Sequence, residues 1–276
     1  MATDIITAPA TVKIKTMAGS PAWLRGLGGL AGFALLLELV PRVGLISPHY
    51  LPPFSEIVVA LFHELMSATF WMAFRDTMSA WALGLAISLV AGVVVGIVIG
   101  SSSLLRTLTY STIEFLRPIP SVALIPLAVL LFGTKIESTL ILVVYASFWQ
   151  VLIQVLYGVQ DVDPVARETA RSYGLGTFAQ IRYLIWPTML PYLMTGVRLA
   201  AAVALILAIT SEIAIDTEGL GREISQTESG GAVAIMYAYV IVTGIIGVIV
   251  NVGARALERR VLSWHPSIRL DTAEAA

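Results

Sequence analysis

Six apolar runs, at residues 23–46, 77–100, 107–132, 139–159, 192–215 and 233–254, alternate with polar stretches along the chain. A membrane-spanning helix needs ~20 mainly apolar residues, so the pattern predicts an all-α integral membrane protein with six transmembrane helices. Between the first two runs, Ile57, Val58, Leu61 and Leu65 alternate with Glu56, His63 and Glu64, the pattern of a helix lying in the interface. In the second run Ser88, Gly92, Gly96 and Gly100 recur every four residues. Such small-residue spacing predicts close helix contact, within the subunit or at a dimer seam.

The third run contains Glu114, Arg117, Pro118, Pro120 and Pro126. Prolines free carbonyls from the helical ladder, so the backbone must break there. A broken backbone at membrane depth is tolerated where it is buried in protein or lines a cavity, which makes residues 117–126 the candidate pathway. Arg117, Pro118, Pro120, Arg198 and Glu212 are the candidate pathway residues. Arg117 and Arg198 would favour an anion, with pairing of Arg117 to Glu114 as the alternative; fourteen residues separate Arg198 from Glu212, ~21 Å along one helix, too far to pair within it. Gln150 and Gln154, one turn apart in the fourth run, suit interhelical hydrogen bonds better than a substrate role.

The longest amphipathic passage, residues 161–191, lies between two apolar runs. Asp163-Pro164 is a helix start, and Ala166, Ala170 and Tyr173 then share a face. Gly174 ends that helix, Thr177 and Gln180 have the spacing of a capping box, and Phe178, Ile181 and Ile185 form a second apolar stripe before Pro187. The stretch reads as helix, glycine turn, helix outside the membrane, a shape suited to a partner's groove.

Charge sets the orientation. With both termini and the 161–191 loop in the cytoplasm, eleven basic residues lie inside, among them Lys13, Lys15, Arg106, Arg167, Arg171 and Arg259, and only Arg42, Arg75, Lys135 and Arg222 lie outside. Glu38 and Arg42, four residues apart, neutralise each other near the outer interface. A net charge of −1 argues against a nucleic-acid partner, and the absence of cysteine removes disulfides and thiolate chemistry. His49 and His63 stand apart from any ligand cluster. The polar start of the chain has no signal-peptide pattern.

Glu168-Thr169-Ala170, Gly174, Leu184, Trp186 and Pro187 resemble, in spacing, the EAA signature of permease subunits of ATP-binding-cassette importers. Thr169, Leu184 and Trp186 depart conservatively from the usual residues. PIPSVALIPLAVLLFG in the third run, RSYGLG after Glu168 and the closing LSWHP extend the resemblance over residues 70–266. They are similar to the nitrate, sulfonate, taurine and bicarbonate branch, most of all the aliphatic-sulfonate type.

The resemblance implies a permease domain over residues 23–265 between tails at 1–22 and 266–276, in the bacterial inner membrane. It implies that Glu168, Ala170, Gly174, Leu175, Phe178, Ile181 and Pro187 couple to a cytoplasmic ATPase. It further implies a permease homodimer in the lipid bilayer, fed by an extracytoplasmic substrate-binding protein. The chain's own lysines, Lys13, Lys15 and Lys135, are never preceded by glycine, so it has no phosphate-binding loop and no enzymatic role is expected of it. It binds no cofactor on this reading; ATP and magnesium belong to the partner. The expected cargo is a small anion, with a neutral vitamin precursor or a larger organic anion as alternatives within the branch. A secondary transporter or channel would also need broken spans, yet leaves the bent helix pair without a purpose. An intramembrane enzyme would need a catalytic set, and none has credible spacing.

Overall fold

The computed structural model describes residues 22–264, whose regular elements are all helices, with no strand among the described residues. The expected tails and the final His265-Pro266 of the closing motif lie outside them. The chain divides into two units, one reaching Ser55 and the other beginning at Glu56. The first holds α1 (Ala22–Arg42) and the turns after it. Leu27, Leu30, Phe33 and Leu36 of α1 are all exposed, an apolar surface suited to lipid or to another helix. The Arg42 guanidinium lies 2.6 Å from the Glu38 carboxylate, which also accepts the Ser55 backbone N–H at 2.8 Å, so the expected neutralisation is present.

The second unit contains all but the first two residues of α2 (Phe54–Leu65), then α3 (Ala68–Ser101), α4 (Ser103–Leu116), α5 (Ile125–Phe132), α6 (Ile136–Gln160), α7 (Pro164–Ser172), α8 (Thr177–Gln180), α9 (Trp186–Ile215), α10 (Leu220–Ser229) and α11 (Val233–Val261). Among the described residues four helical stretches are long and apolar enough to cross a membrane: α3, α6, α11 and the run Thr177–Ile215. The third apolar run is not one rod. It is α4 followed, after a 3₁₀ turn, by α5, bent by 81°. Counted as one span, the pair raises the total to five. α3 begins nine residues before the predicted span because Ser67 caps it, its hydroxyl accepting the Phe70 N–H at 3.1 Å.

α3, α6 and α9 form the core. α3 and α6 run parallel, with the small-residue stripe of α3 against a stripe on α6 of the same four-residue period: Gly84 faces Val143, Gly92 Val151, Gly96 Val155 and Gly100 Val159. The stripe is therefore an internal seam. A Cβ at Gly92 would come within 2.8 Å of Val151, so backbone approach here depends on the missing side chain. α9 runs antiparallel to both, with Gly158 of α6 against Met189 and Gly196 of α9 against Gln154. The Trp81 indole N–H of α3 reaches the Ala201 carbonyl at 2.9 Å, and the Ser147 hydroxyl of α6 reaches that of Ala200 at 3.3 Å. No side-chain hydrogen bond joins Gln150 or Gln154 to another described residue. The expected interhelical bonds are not formed there, and Gly196 instead packs on the stem of Gln154.

Candidate coupling loop and translocation pathway

The loop begins as its residues dictate. Asp163 caps α7 by accepting the Val165 N–H at 2.8 Å, with Pro164 in the first turn. At the other end Gly174 takes φ +74°, its N–H donates to the Arg171 carbonyl, and the Leu175 N–H reaches back to Ala170. This pair of bonds is a Schellman turn, which satisfies carbonyls that the end of the helix leaves free. Two side-chain hydrogen bonds tie the loop to the bundle: Arg167 donates to the Val159 carbonyl at 3.4 Å, and the Tyr192 hydroxyl donates to Asp161 at 3.0 Å.

The second half differs from expectation. Gly176, not Thr177, is the N-cap, and Gln180 spends its amide on the Leu175 carbonyl at 2.8 Å, so no capping box forms. Nor is this helix separate from the apolar run at 192–215. A π-helical segment, Ile181–Ile185, lets the Trp186 N–H bond to Ile181, and the helix continues into α9 with Pro187 in its first turn. The widened turn accommodates the amide that proline lacks. Ile185 is buried against the core, whereas Glu168 and Phe178 are exposed and Ala170 and Ile181 are partly so. Tyr173 and Phe178 are each 81% exposed.

The pathway candidates separate. Arg117 caps α4 at the break before Pro118 and Pro120, and the Tyr145 hydroxyl pins this break by donating to the Leu116 carbonyl at 2.7 Å. Glu114 forms no ion pair with it. Both line a cavity of about 220 Å³ between α4 and the end of α6 nearest the loop. Arg198 is instead paired across helices with Glu258 of α11, at 3.4 Å. Nothing in the sequence pattern pointed to Glu258, because this contact is made sixty residues along the chain.

Glu212 is only 1% exposed and ties three elements together. Its Oε2 accepts the Thr77 hydroxyl and the Gly221 N–H, both at 2.9 Å, while Thr77 in turn accepts the Leu220 N–H at 2.8 Å. α3 and α9 thereby hold the first turn of α10. A Cβ on Gly219 would strike the Glu212 carboxylate, and one on Gly221 would strike the Ile209 carbonyl, which explains the Gly-Leu-Gly sequence. Beside this tie, at the end of the bundle opposite the loop, opens a cavity of about 560 Å³ lined by Asp76, Lys135, Glu137 and Arg222 among others. On α10 itself, burial pushes the Glu223 carboxyl above the ordinary range; Arg222 opposes the shift and Glu64 adds to it. No cluster of three or more metal-ligating side chains occurs among the described residues.

Residues 88–263, well over half of the chain, match the family described as the binding-protein-dependent transport system inner membrane component. The chain is 30% identical over 248 residues to the taurine transport system permease protein of Escherichia coli K12, covering 88% of this chain and 90% of that protein. It is also 30% identical over 251 residues to a putative aliphatic sulfonates transport permease protein of the same organism, covering 88% and 92%. Among solved structures, a bacterial alginate ABC transporter in complex with an alginate pentasaccharide-bound periplasmic protein shares the fold, with a TM-score of 0.62 at 15% identity, over 87% of this chain and 95% of that one. The chain is a multi-pass membrane protein that belongs to the binding-protein-dependent transport system inner membrane components, and its part is that of an importer's permease subunit.

Proposed function

We propose that this permease carries a small anion of the sulfonate or taurine type, driven by ATPase subunits that grip residues 161–191 from the cytoplasm. The observation that carries the reading is the exposed apolar surface of that loop. Val165, Tyr173, Phe178 and Tyr183 project, exposed, from a segment that Asp163 caps at its start and the Gly174 turn folds at its middle. Such a surface suits a protein groove. Glu168 offers a charge to a basic partner residue, and Ala170 permits close approach.

In this reading both termini lie in the cytoplasm, and α1 supplies a sixth span: its 21 residues reach ~31 Å, about the thickness of the hydrocarbon core. Two permeases form a homodimer, and an extracytoplasmic binding protein delivers cargo at the end bearing α10. When ATP draws the ATPase subunits together, the docked loops move and the spans rock between inward-open and outward-open states. Arg117 is the anion-favouring pathway residue; Arg198, already paired with Glu258, has a smaller share.

The test is reconstitution in liposomes. Permease with ATPase and binding protein should import taurine or an alkanesulfonate only when ATP is supplied, and permease without the ATPase should import neither. Uptake by the permease alone would overturn the reading.

A further inference from the structure

The cavity between α4 and α6 holds an arrangement that a simple charged passage does not require. Arg106, Tyr110, Ile113 and Arg117 are spaced by four, three and four residues, so they form one face of α4, and all four line the cavity. Neither Arg106 nor Arg117 forms an ion pair or a side-chain hydrogen bond with any described residue. Two free guanidiniums therefore face one cavity of about 220 Å³ whose lining includes a single carboxylate, Glu114. Between them the wall is apolar, with Ile113 from α4 and Ile153 from α6.

Arg106, half-buried, and Arg117, exposed, lie near the cytoplasmic end of the bundle, and two guanidiniums left without protein partners on one cavity mark a place where a ligand can supply the counter-charge. The planar donor fork of arginine matches the oxygens of a sulfonate or phosphate group. Two arginines against one glutamate leave the lining with one net positive charge, suited to a monoanion. An inorganic anion would leave the isoleucines uncovered, whereas a short alkyl chain would cover them.

We infer that this cavity is a binding site for an organic monoanion with a sulfonate-like head and a short apolar tail, held between Arg106 and Arg117. The inference rests on the importer reading for its meaning as a station near the cytoplasmic end of the pathway. An anionic phospholipid head group has the same chemistry, so the test must separate the two sources.

Equilibrium dialysis of radiolabelled 1-butanesulfonate against the intact permease–ATPase complex in lipid-free detergent, without binding protein, measures the site directly. Wild type should bind saturably, and Arg106→Gln or Arg117→Gln should each weaken binding by about tenfold, the scale of one lost charge-assisted hydrogen bond. Nitrate in large excess should not compete. Arg117→Lys, which keeps the charge and loses the fork, should fall between wild type and Arg117→Gln, and it carries the test if the glutamine variant fails to assemble. Absent wild-type binding, unchanged binding in assembled variants, or equal competition by nitrate would each overturn the inference. So would a site already filled by phosphatidylglycerol, seen as butanesulfonate binding lost in phosphatidylglycerol nanodiscs and retained in phosphatidylcholine ones. ATP-driven uptake by wild type with its partners is measured in parallel: failure there sinks the importer reading, whereas normal uptake with unaltered binding in the variants sinks only this site.

Discussion

Glycines at two positions perform different tasks, and substitutions tell them apart. Gly219, at φ +152°, has its would-be Cβ inside the Glu212 carboxylate, whereas Gly231, at φ +71°, has open space around its own. Alanine at Gly231 incurs only the left-handed backbone cost, ~1–2 kcal/mol. Alanine at Gly219 adds an overpacking cost of about 1–3 kcal/mol and pulls α10 off its tie. Thermal unfolding in detergent should therefore show a clearly larger loss for Gly219→Ala than for Gly231→Ala; equal losses would mean the Glu212 tie is not what holds α10. Glu212→Gln keeps an acceptor for Thr77 and Gly221, while Glu212→Ala strands buried donors at about 1–3 kcal/mol each, so the alanine variant should be the less stable. Glu212 was visible in the sequence as an intramembrane carboxylate. Its partners were not, because Thr77 lies 135 residues away and a lone threonine in an apolar run carries no signal.

At the scale of elements, the four-residue stripe of α3 predicted a close seam but not the helix that fills it. The partner had a signature of its own: Val143, Ser147, Val151, Val155 and Val159 on α6 repeat at the same interval. Matching periods on two spans is the pattern that could have located the seam. Gly92→Ala should cost ~1–3 kcal/mol by forcing α3 from α6, with a matching drop in detergent melting temperature. Gly244→Ala, with nothing within 4 Å of its Cβ, should be close to neutral. The stripe before Pro187 read as a loop helix apart from the run at 192–215, whereas the π segment carries the helix across Pro187 into that run. α10 also carries a pH dependence. Because the Glu223 carboxyl is raised in the folded state, the folded protein holds this proton more tightly than the unfolded chain. Its contribution is fullest in acid and falls as pH climbs from the ordinary carboxylate range through the elevated value. Glu223→Gln should flatten that part of the stability–pH profile; an unchanged slope would contradict the assignment.

Across the whole molecule, the apolar runs made the class legible, since crossing a bilayer leaves few ways to satisfy the backbone. The start and the turn of the 161–191 loop were legible too, through Asp163-Pro164 and Gly174, whose chemistry acts locally. The pathway candidates were harder to sort: Arg198 and Arg117 look alike in sequence, and only tertiary packing gives one of them Glu258 and leaves the other lining a cavity without an ion pair. The central claim is that the loop transmits force from the ATPase, and Gly174 is its sharpest probe. A Cβ there meets nothing within 4 Å, so Gly174→Val acts through the backbone alone, forcing a β-branched residue into φ +74° and undoing the turn that sets α7 against α8. The decisive measurement is ATPase co-purification and substrate-stimulated ATP hydrolysis with the reconstituted Gly174→Val permease, beside Gln226→Ala on α10 as control. The account predicts that Gly174→Val still inserts in the membrane but retains little ATPase and loses stimulation, while Gln226→Ala behaves as wild type. Normal association and normal stimulation in Gly174→Val would contradict it.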